Sequence, residues 1–252
     1  MTSRDDLIDA LVEGARTLDA HRLVVAGAGN VSVVDGPTIL ITRSGVRFAE
    51  ATRADITEVD LASGAHSGPR PSSETELHRG LYGRTDAGAI VHYHGIYSNA
   101  VAAVTDHLPA IHYYICALGG SVPVVDYHLF GSRDLADAVG REATGGRSAV
   151  LLRNHGAVVW ADDLATAVER TLVLEWLCEV WWRSTLVGAP AILTASQLGQ
   201  VRDQSARLKY GARAVADPSV PMAAPTPTSA QSSPAGQSSP LQRITPDYSP
   251  KE

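Results

Sequence analysis

The spacing of apolar residues predicts alternating helices and strands along most of this chain. Apolar positions recur with a helical period in five stretches, at residues 4–20, 73–82, 97–104, 132–142 and 163–186. Short β-branched or alternating runs predict strands, at residues 31–34, 38–42, 88–94, 122–126 and 151–160. A tight turn interrupts the last run, which therefore indicates a hairpin. Antiparallel strands with covering helices predict a central sheet in an α/β sandwich.

The helix predicted at residues 163–186 carries apolar residues on nearly every side. They are Leu164, Val168, Leu172, Leu174, Trp176, Leu177, Val180, Trp181 and Trp182. A helix of this kind must be covered by other parts of the protein. We expect part of that cover to be a subunit contact, although a large internal core produces the same pattern.

The composition changes after Ala216, and from there to the last residue Pro, Ser, Ala, Gln and Thr dominate. A segment with almost no large apolar residues cannot offset the entropy lost on ordering. We therefore divide the chain into a folded domain, residues 1–212, and a disordered tail, residues 213–252. A regulatory role for the tail is the alternative.

Length, charge and cysteine content fit one globular domain. At 252 residues and 44% hydrophobic, the chain can bury a substantial core. The formal net charge of −6 argues against a nucleic-acid or anionic-membrane partner. The sequence has no run of about 18 apolar residues, and its first six residues contain no apolar signal core. We therefore predict a cytoplasmic protein, in which Cys116 and Cys178 are reduced core residues.

The candidate chemistry starts with His92 and His94, alternate residues at the end of a predicted buried strand. Alternate strand side chains point to one face of a sheet, so we expect the two imidazoles side by side and Tyr93 on the opposite face. Two adjacent neutral imidazoles supply half of a zinc site. The alternative is a pair of packed or solvated histidines.

A third histidine, His155, lies in the turn of the predicted hairpin, between two apolar runs. A hairpin turn is normally exposed to water, so this histidine can simply be solvated. Taken alone, His155 is therefore a weak candidate ligand.

The segment Ser72-Ser73-Glu74 opens the helix predicted at residues 73–82. Ser73 and Glu76 are spaced as a capping box, and Ser72 could pair with Thr75 in a similar way. Glu74 has no capping partner, although the helix dipole favours a carboxylate in the first turn.

Seven short motifs occur along the chain in the order found in a known family. They are Gly29-Asn30-Val31-Ser32, Ile41-Thr42-Arg43-Ser44-Gly45-Val46, Pro71-Ser72-Ser73-Glu74, His92-Tyr93-His94, Leu108-Pro109-Ala110-Ile111-His112-Tyr113, Phe130-Gly131-Ser132-Arg133 and Asn154-His155-Gly156. Over about residues 5–212 the chain resembles the class II (zinc-dependent) aldolase/adducin family, and most closely its bacterial L-fuculose-1-phosphate aldolases. The resemblance implies a three-layer α/β sandwich with a mainly antiparallel central sheet.

The resemblance implies one zinc ion per chain, or another divalent transition metal, held by Glu74, His92, His94 and His155. Three imidazoles leave Zn²⁺ an open position for substrate. A Lewis acid there lowers the barrier to forming a carbanion beside a ketone, because the charge spreads into an enediolate. Glu74 matches the family's fourth ligand, which moves aside to act as acid and base when substrate arrives.

Five residues match phosphate-binding positions of the family: Asn30, Ser44, Gly45, Ser72 and Ser73. Hydroxyls and free N–H groups at a helix start suit an anion. Two departures leave the substrate's identity open. Gly27 replaces a threonine that contacts phosphate, and Arg43 replaces a proline and could add a charge-assisted contact.

Two tyrosines match catalytic positions of the family. Tyr113 matches the residue that handles the proton on the C4 oxygen of the leaving aldehyde. Tyr210 matches a tyrosine near the C-terminus that closes over the site. From the residues alone, Tyr113 is a core aromatic residue with a satisfied hydroxyl.

The resemblance implies a homotetrameric lyase of carbohydrate metabolism with its sites between neighbouring subunits. It would cleave a ketose 1-phosphate, such as L-fuculose 1-phosphate or a 5-deoxypentulose 1-phosphate, into dihydroxyacetone phosphate and an aldehyde. An L-ribulose-5-phosphate 4-epimerase is the nearest alternative, but family epimerases carry an aspartate in place of Glu74 and lack the Tyr113 type of acid. A related decarboxylase or dehydratase, a non-catalytic adducin-like scaffold and a structural zinc protein are the others.

Overall fold

The computed structural model describes residues 2–208, and a nine-stranded sheet forms the centre of this part of the chain. Its strands are β1 Asn30–Asp35, β2 Thr38–Thr42, β3 Ile56–Asp60, β4 His66–Ser67, β5 Ala89–Tyr93, β6 His107–Leu108, β7 Val122–Val125, β8 Ala149–Leu152 and β9 Gly156–Ala161. They lie in the order β4-β3-β2-β1-β5-β9-β8-β7-β6. Within this described part, the pair β7–β8 is parallel and the other neighbours are antiparallel, so the prediction of a mainly antiparallel sheet is confirmed.

Helices cover both faces of the sheet. They are α1 Arg4–Ala20, α2 Thr75–Tyr82, α3 Ile96–Val104, α4 Arg133–Glu142, α5 Leu164–Val187 and α6 Ala195–Leu208. One hydrophobic cluster joins buried residues of α1, α3 and α5 to the sheet, and a second joins α2 and α4 to it. The predicted α/β sandwich of helix, sheet and helix layers is thereby confirmed.

The central strand β5 separates these two clusters. Ala89, Val91 and Tyr93 are buried in the cluster of α1, α3 and α5, whereas Ile90 is buried in the cluster of α2 and α4. Because strand side chains alternate, His92 lies on the α2 side, with Tyr93 opposite. This arrangement is the one that the alternation of the sequence predicts.

Some elements differ from the predicted ones. Helix α2 begins at Thr75 rather than at residue 73, with Glu74 as the residue that precedes it. Helix α6 was not predicted, because it is mostly polar and only Leu198 in it is buried. The strands β3, β4 and β6 were missed as well, two of them being only two residues long.

Helix α5 is buried along one side only. Its exposed apolar residues include Trp176, Trp182, Leu186 and Val187. The internal core therefore covers part of the apolar surface that the sequence predicts, and a subunit contact over the remainder stays a prediction.

Several predictions concern residues outside the described part, residues 2–208. Tyr210 and the Pro- and Ser-rich tail are among them, so the division into two regions stays a prediction. Among the described helices, none is long and apolar enough to cross a membrane.

Candidate metal centre and anion pocket

Four side chains converge at one end of β5. Glu74, His92, His94 and His155 each direct one possible ligand atom to a common point, and these atoms lie within 4.8 Å of one another. His92 Nε2 lies 2.8 Å from Glu74 Oε2 and 2.9 Å from His94 Nε2. His155 Nε2 lies 3.3 Å from Glu74 Oε1. The structure thus brings together the four residues of the predicted metal site.

The turn between β8 and β9 delivers His155 to this point. Asn154 takes a left-handed conformation with φ of 53°, and Gly156 pairs closely against the end of β5. A Cβ atom on Gly156 would lie 2.4 Å from the Tyr93 carbonyl oxygen. Only glycine fits there without displacing the backbone, so Gly156 permits the close approach that places His155 beside His92.

The hydrogen bonds of the cluster define which ring nitrogens face the centre. His92 Nδ1 lies 3.0 Å from the Ala157 carbonyl oxygen. A carbonyl only accepts, so Nδ1 carries the proton and Nε2 presents a lone pair to the cluster. Burial lowers the pKa of His94 to about 3, and the neighbouring imidazoles of His92 and His155 add to this effect. His94 is therefore neutral and able to ligate a cation at ordinary pH.

Glu74 is a carboxylate in this setting although it is only 5% exposed. Burial alone raises the pKa of its carboxyl group. In the metal-free protein, where a proton lies between His92 Nε2 and Glu74 Oε2, the charge and hydrogen bond of His92, followed by His155 and the Asn30 amide, outweigh burial and lower the pKa to about 2. Within the described residues, Glu74 Oε1 is buried without a hydrogen-bond partner.

A divalent cation fits this donor set. Two imidazole nitrogens and a carboxylate oxygen face each other at about 3 Å, and acceptors at such distances repel unless a proton or a metal cation lies between them. Three nitrogen ligands and one oxygen ligand match the catalytic type of zinc site. Other first-row divalent ions accept the same donors.

A cavity of about 370 Å³ opens beside the cluster. The five predicted phosphate-binding residues Asn30, Ser44, Gly45, Ser72 and Ser73 all line it. Gly27, Gly29 and Gly45 have positive φ angles of 77°, 118° and 69°. These glycines allow the loops to turn sharply, and the short polar side chains of Asn30, Ser44, Ser72 and Ser73 line the cavity next to the candidate metal ligands.

The predicted capping box of Ser73 and Glu76 is wrong. Ser72 Oγ instead accepts a hydrogen bond from the Glu74 N–H at 3.2 Å, and Thr75 Oγ1 donates to the Ser72 carbonyl. Glu76 pairs with Arg79 at 2.6 Å. Since the carboxylate of Glu74 is held by the histidines, this residue precedes the helix without a side-chain cap.

Arg43 lines the cavity but its guanidinium is already paired. Arg43 Nε donates to Asp55 Oδ1 at 2.6 Å, and Nη1 donates to the Ser44 carbonyl at 3.1 Å. The predicted extra contact to phosphate therefore has to come from the remaining N–H groups. Gly27 lines the same cavity and supplies no side chain.

Three cavity residues were not assigned a role from the sequence. Tyr127, His128 and Phe130 lie in the loop before α4 and form one wall of the cavity. Tyr127 and Phe130 are 60% and 62% exposed. The sequence motif that begins at Phe130 was the one indication of this loop, but it did not predict that Phe130 lines the cavity.

Tyr113 does not line this cavity. It lies in a 3₁₀ segment, Tyr113–Leu118, stacks on His112 and is 38% exposed. It faces a separate depression formed with residues of α6, namely Gln197, Gln200, Val201, Gln204, Ser205 and Leu208. Within one chain the structure thus separates Tyr113 from the pocket that contains the metal ligands.

The geometry agrees with a comparison with known families. Residues 9–182 match the Class II Aldolase and Adducin N-terminal domain family, and the chain belongs to this family. It is therefore a class II aldolase-type enzyme, a lyase, as its motifs predict.

Relatives of known function and structure cover most of the chain. It is 34% identical over 205 residues to the 5-methylthioribulose-1-phosphate/5-deoxyribulose-1-phosphate aldolase of Rhodospirillum rubrum, a match spanning 80% of this chain and 92% of the relative. Identity to the L-fuculose phosphate aldolase of Escherichia coli K12 is also 34%, over 70% of this chain and 83% of that one.

Solved structures support the same relationship. An L-fuculose 1-phosphate aldolase superposes with a TM-score of 0.75 at 30% identity, covering 81% of this chain and 97% of its own. The L-fuculose-1-phosphate aldolase of Thermus thermophilus gives 0.65 at 31% identity, covering 75% and 100%.

Proposed function

We propose that this protein is a zinc-dependent aldolase that cleaves a ketose 1-phosphate between C3 and C4, giving dihydroxyacetone phosphate and an aldehyde. One observation carries the proposal: Glu74 and three imidazoles converge beside a cavity lined by donors that suit a phosphate group. The relatives named above act on 5-deoxyribulose 1-phosphate, 5-methylthioribulose 1-phosphate and L-fuculose phosphate. We assign the same substrate class to this chain, in cytoplasmic carbohydrate metabolism.

The residues that would hold the metal are His92, His94 and His155, with Glu74 as the fourth ligand before substrate binds. When bound, the ion supplies Lewis-acid stabilisation of the negative charge that develops on substrate oxygens. The cavity residues Ser44, Ser72 and Ser73 would bind the phosphate and so position C3 near Glu74. Asn30 and Gly45 would add donors to the same group.

Two proton transfers complete the cleavage. Tyr113 removes the proton of the C4 hydroxyl, so that C4 leaves as an aldehyde and the bonding electrons remain on the fragment that carries the phosphate. Tyr113 passes this proton on to solvent. Glu74 takes up a proton from solvent and delivers it to C3 of that fragment, so the proton lost from the C4 oxygen balances the one gained by C3. The position of this buried carboxylate, within 4.8 Å of the imidazole nitrogens, supports the assignment.

Because Tyr113 lies away from the cavity of its own chain, we propose that each site takes Tyr113 from a neighbouring subunit of a homotetramer. The exposed apolar residues of α5 are candidates for the contact. Tyr210, outside the described residues, is proposed to close over the site and exclude water.

Mixed tetramers test the shared site. Glu74→Gln and Tyr113→Phe are each expected to be nearly inactive alone. If both are produced in one cell, about a quarter of the sites in a random cyclic tetramer should combine wild-type Glu74 with wild-type Tyr113. Recovery of cleavage supports the proposal, and continued inactivity of mixed tetramers contradicts it.

A substrate panel tests the reaction. The purified protein is supplied with L-fuculose 1-phosphate, 5-deoxyribulose 1-phosphate, 5-methylthioribulose 1-phosphate and L-ribulose 5-phosphate, and dihydroxyacetone phosphate is measured. We expect release from at least one of the first three. Isomerisation of the last compound without release would identify an epimerase, loss of carbon dioxide or water from sugar-acid phosphates a decarboxylase or dehydratase, and inactivity of metal-loaded protein a scaffold.

A further inference from the structure

A continuous chain of buried hydrogen bonds runs between α2 and β1 and ends at Glu74. The Tyr82 hydroxyl lies 2.7 Å from Ser32 Oγ, and Ser32 Oγ lies 2.7 Å from His78 Nδ1. His78 Nε2 lies 2.5 Å from Asn30 Oδ1, and Asn30 Nδ2 lies 3.2 Å from Glu74 Oε2. All five side chains are buried, and Ser32 and His78 have no accessible surface. Polar groups that are buried in a protein core each need a hydrogen-bond partner.

The donors of this chain can be assigned from its Glu74 end. An ionised carboxylate only accepts hydrogen bonds, so the atom of Asn30 that faces it is the amide nitrogen. The carbonyl oxygen of Asn30 therefore faces His78, whose Nε2 must carry the ring proton.

The remaining donors follow from the neutral ring. His78 has no accessible surface, and its ring nitrogens contact Ser32 and Asn30 rather than a carboxylate, so the ring is neutral and its Nδ1 accepts from the Ser32 hydroxyl. Ser32 Oγ in turn accepts from the hydroxyl of Tyr82. All hydrogen bonds of the chain thus run in one direction, from Tyr82 to His78 and from His78 to Glu74.

The direction determines what Asn30 presents to the cavity. His78 occupies the only acceptor of the Asn30 amide, and one amide hydrogen goes to Glu74. The second amide hydrogen is left for the cavity that Asn30 lines. If His78 carried its proton on Nδ1, the amide would turn over and set a carbonyl oxygen against the Glu74 carboxylate and against any bound anion.

We propose that His78 is a positioning residue of this site. Its Nε2–H holds the Asn30 amide in the orientation that donates both to Glu74 and to a phosphate group in the cavity. The effect on cleavage rests on the proposed function, whereas the orientation of the amide and its effect on anion binding do not.

The tautomer of His78 can be observed directly. Nitrogen spectra of metal-loaded protein labelled with ¹⁵N-histidine distinguish a ring protonated on Nε2 from one protonated on Nδ1. The His78 signals are those missing from the His78→Gln variant. We expect the Nε2–H form, and the Nδ1–H form would overturn the proposal whether or not the protein is an aldolase.

Two substitutions separate hydrogen bonding from packing. His78→Met has a similar volume but no donor, whereas His78→Gln keeps an N–H group near the position of Nε2. Inorganic phosphate is titrated into each metal-loaded protein calorimetrically. We expect about 10- to 100-fold weaker binding in His78→Met, the usual effect of one hydrogen bond to a charged group, and substantial recovery in His78→Gln.

Leu81→Ala is the matched control for loss of stability. Leu81 is on the same helix and is fully buried, but it belongs to the hydrophobic cluster and not to the hydrogen-bonded chain. The Leu81→Ala substitution should lower the melting temperature and leave the affinity for phosphate unchanged. The proposal is overturned if His78→Met binds phosphate like the wild type, or if His78→Gln loses as much affinity as His78→Met.

Cleavage kinetics then extend the test to the reaction. In His78→Met we expect a lower kcat together with a higher KM, because both Glu74 and the phosphate lose a contact, and His78→Gln should restore both. If wild-type protein cleaves no ketose phosphate, the proposed function fails while the tautomer and phosphate measurements still decide the role of His78.

Discussion

Two carboxylates on opposite sides of β5 show how surroundings decide the role of the same group. Glu74, at the start of α2, faces three imidazoles and keeps one oxygen without a hydrogen-bond partner among the described residues. Glu175, on α5, accepts from the backbone N–H groups of Tyr97 at 2.7 Å and Ser98 at 3.1 Å. Glu74 therefore keeps an oxygen that can bind a cation, whereas both oxygens of Glu175 accept hydrogen bonds from the backbone.

The pKa values of the two groups move in opposite directions. Neighbouring imidazoles lower the pKa of Glu74 to about 2 in spite of burial. Burial raises the pKa of Glu175, because its hydrogen bonds to the start of α3 compensate only in part. A buried carboxylate that ionises easily and keeps an oxygen without a hydrogen-bond partner, like Glu74, favours a functional site. A carboxylate whose two oxygens both accept hydrogen bonds from the backbone, like Glu175, indicates a structural role.

Glu175 nevertheless stabilises a helix that adjoins the metal ligands. It caps the first turn of α3, the helix that begins directly after His94 and Gly95. A Cβ atom at Gly95 would lie 2.2 Å from Glu175 Oε2, so glycine is required for the carboxylate to reach the helix start. The contrast between Glu74 and Glu175, and the site around them, can be tested by five measurements.

The largest effect is expected from removing a metal ligand. His94→Ala should lose most of its metal, because geometry and charge are both damaged when one of three imidazoles is missing. Elemental analysis after dialysis measures this, with Glu175→Ala as the variant that should retain the wild-type content. Equal, stoichiometric metal in His94→Ala and the wild type would refute the proposed ligand set.

Glu74→Gln should separate proton transfer from metal binding. Glutamine keeps an oxygen for the metal but cannot accept the substrate proton, so deuterium exchange at C3 of dihydroxyacetone phosphate should fall by about 10²–10⁴-fold. Tyr113→Phe should slow cleavage while sparing exchange, since exchange never forms the C4 alkoxide. Wild-type exchange in Glu74→Gln, or loss of exchange in Tyr113→Phe, would show that these roles are assigned wrongly.

Glu175→Ala should affect stability rather than chemistry. The substitution leaves the N–H groups of Tyr97 and Ser98 without an acceptor, which typically costs about 1–3 kcal/mol of unfolding free energy for each buried donor. Chemical denaturation measures the loss, and Glu175→Gln, which keeps one acceptor oxygen, should lose less. A variant as stable as the wild type would show that water replaces the carboxylate at no cost.

A separate effect is expected in the pH dependence of stability. The pKa of His78 is lowered from 6.5 to about 3, so below pH 6.5 the unfolded chain binds a proton that the folded chain does not. On account of this group, the unfolding free energy of metal-free protein should fall by about 1.4 kcal/mol per pH unit as the pH drops from 6.5 toward 3. His78→Gln should lack this component, and parallel curves for the two proteins would argue against a neutral buried ring.

Acid should act on the two carboxylates in opposite ways. The lowered pKa of Glu74 stabilises the folded state above about pH 4.5, and this contribution is lost as the pH falls toward 2. The raised pKa of Glu175 means that its ionisation costs stability, a cost that protonation at lower pH removes. The unfolding free energies of Glu74→Gln and Glu175→Gln are therefore to be compared with that of the wild type as the pH falls from about 4.5 toward 2. The difference from the wild type should shrink for Glu74→Gln, because the wild type loses the stabilisation by its carboxylate.

Local patterns were enough to predict much of the fold, whereas the set of metal-ligand and phosphate-binding residues was predicted from the resemblance to a known family. The alternation in β5 predicts that His92 and Tyr93 face opposite sides, because the period of two is a property of the extended backbone itself. The turn at Asn154-His155-Gly156 and the serines before α2 likewise depend on neighbouring residues. Helix α6 and the short strands were missed, since their apolar patterns are too weak or too short to identify them.

Only the tertiary structure decided which partner each polar group takes. The spacing of Ser73 and Glu76 fits a capping box, but the histidines and Asn30 hold Glu74, and Arg79 pairs with Glu76. The pairing of Glu175 with α3 and the separation of Tyr113 from the cavity join segments far apart in the chain. Periodicity records which face a side chain occupies, whereas partners across the core depend on how whole elements pack together. For that reason, this sequence determined the elements and the ligand types, and the packed structure determined their directions and protonation.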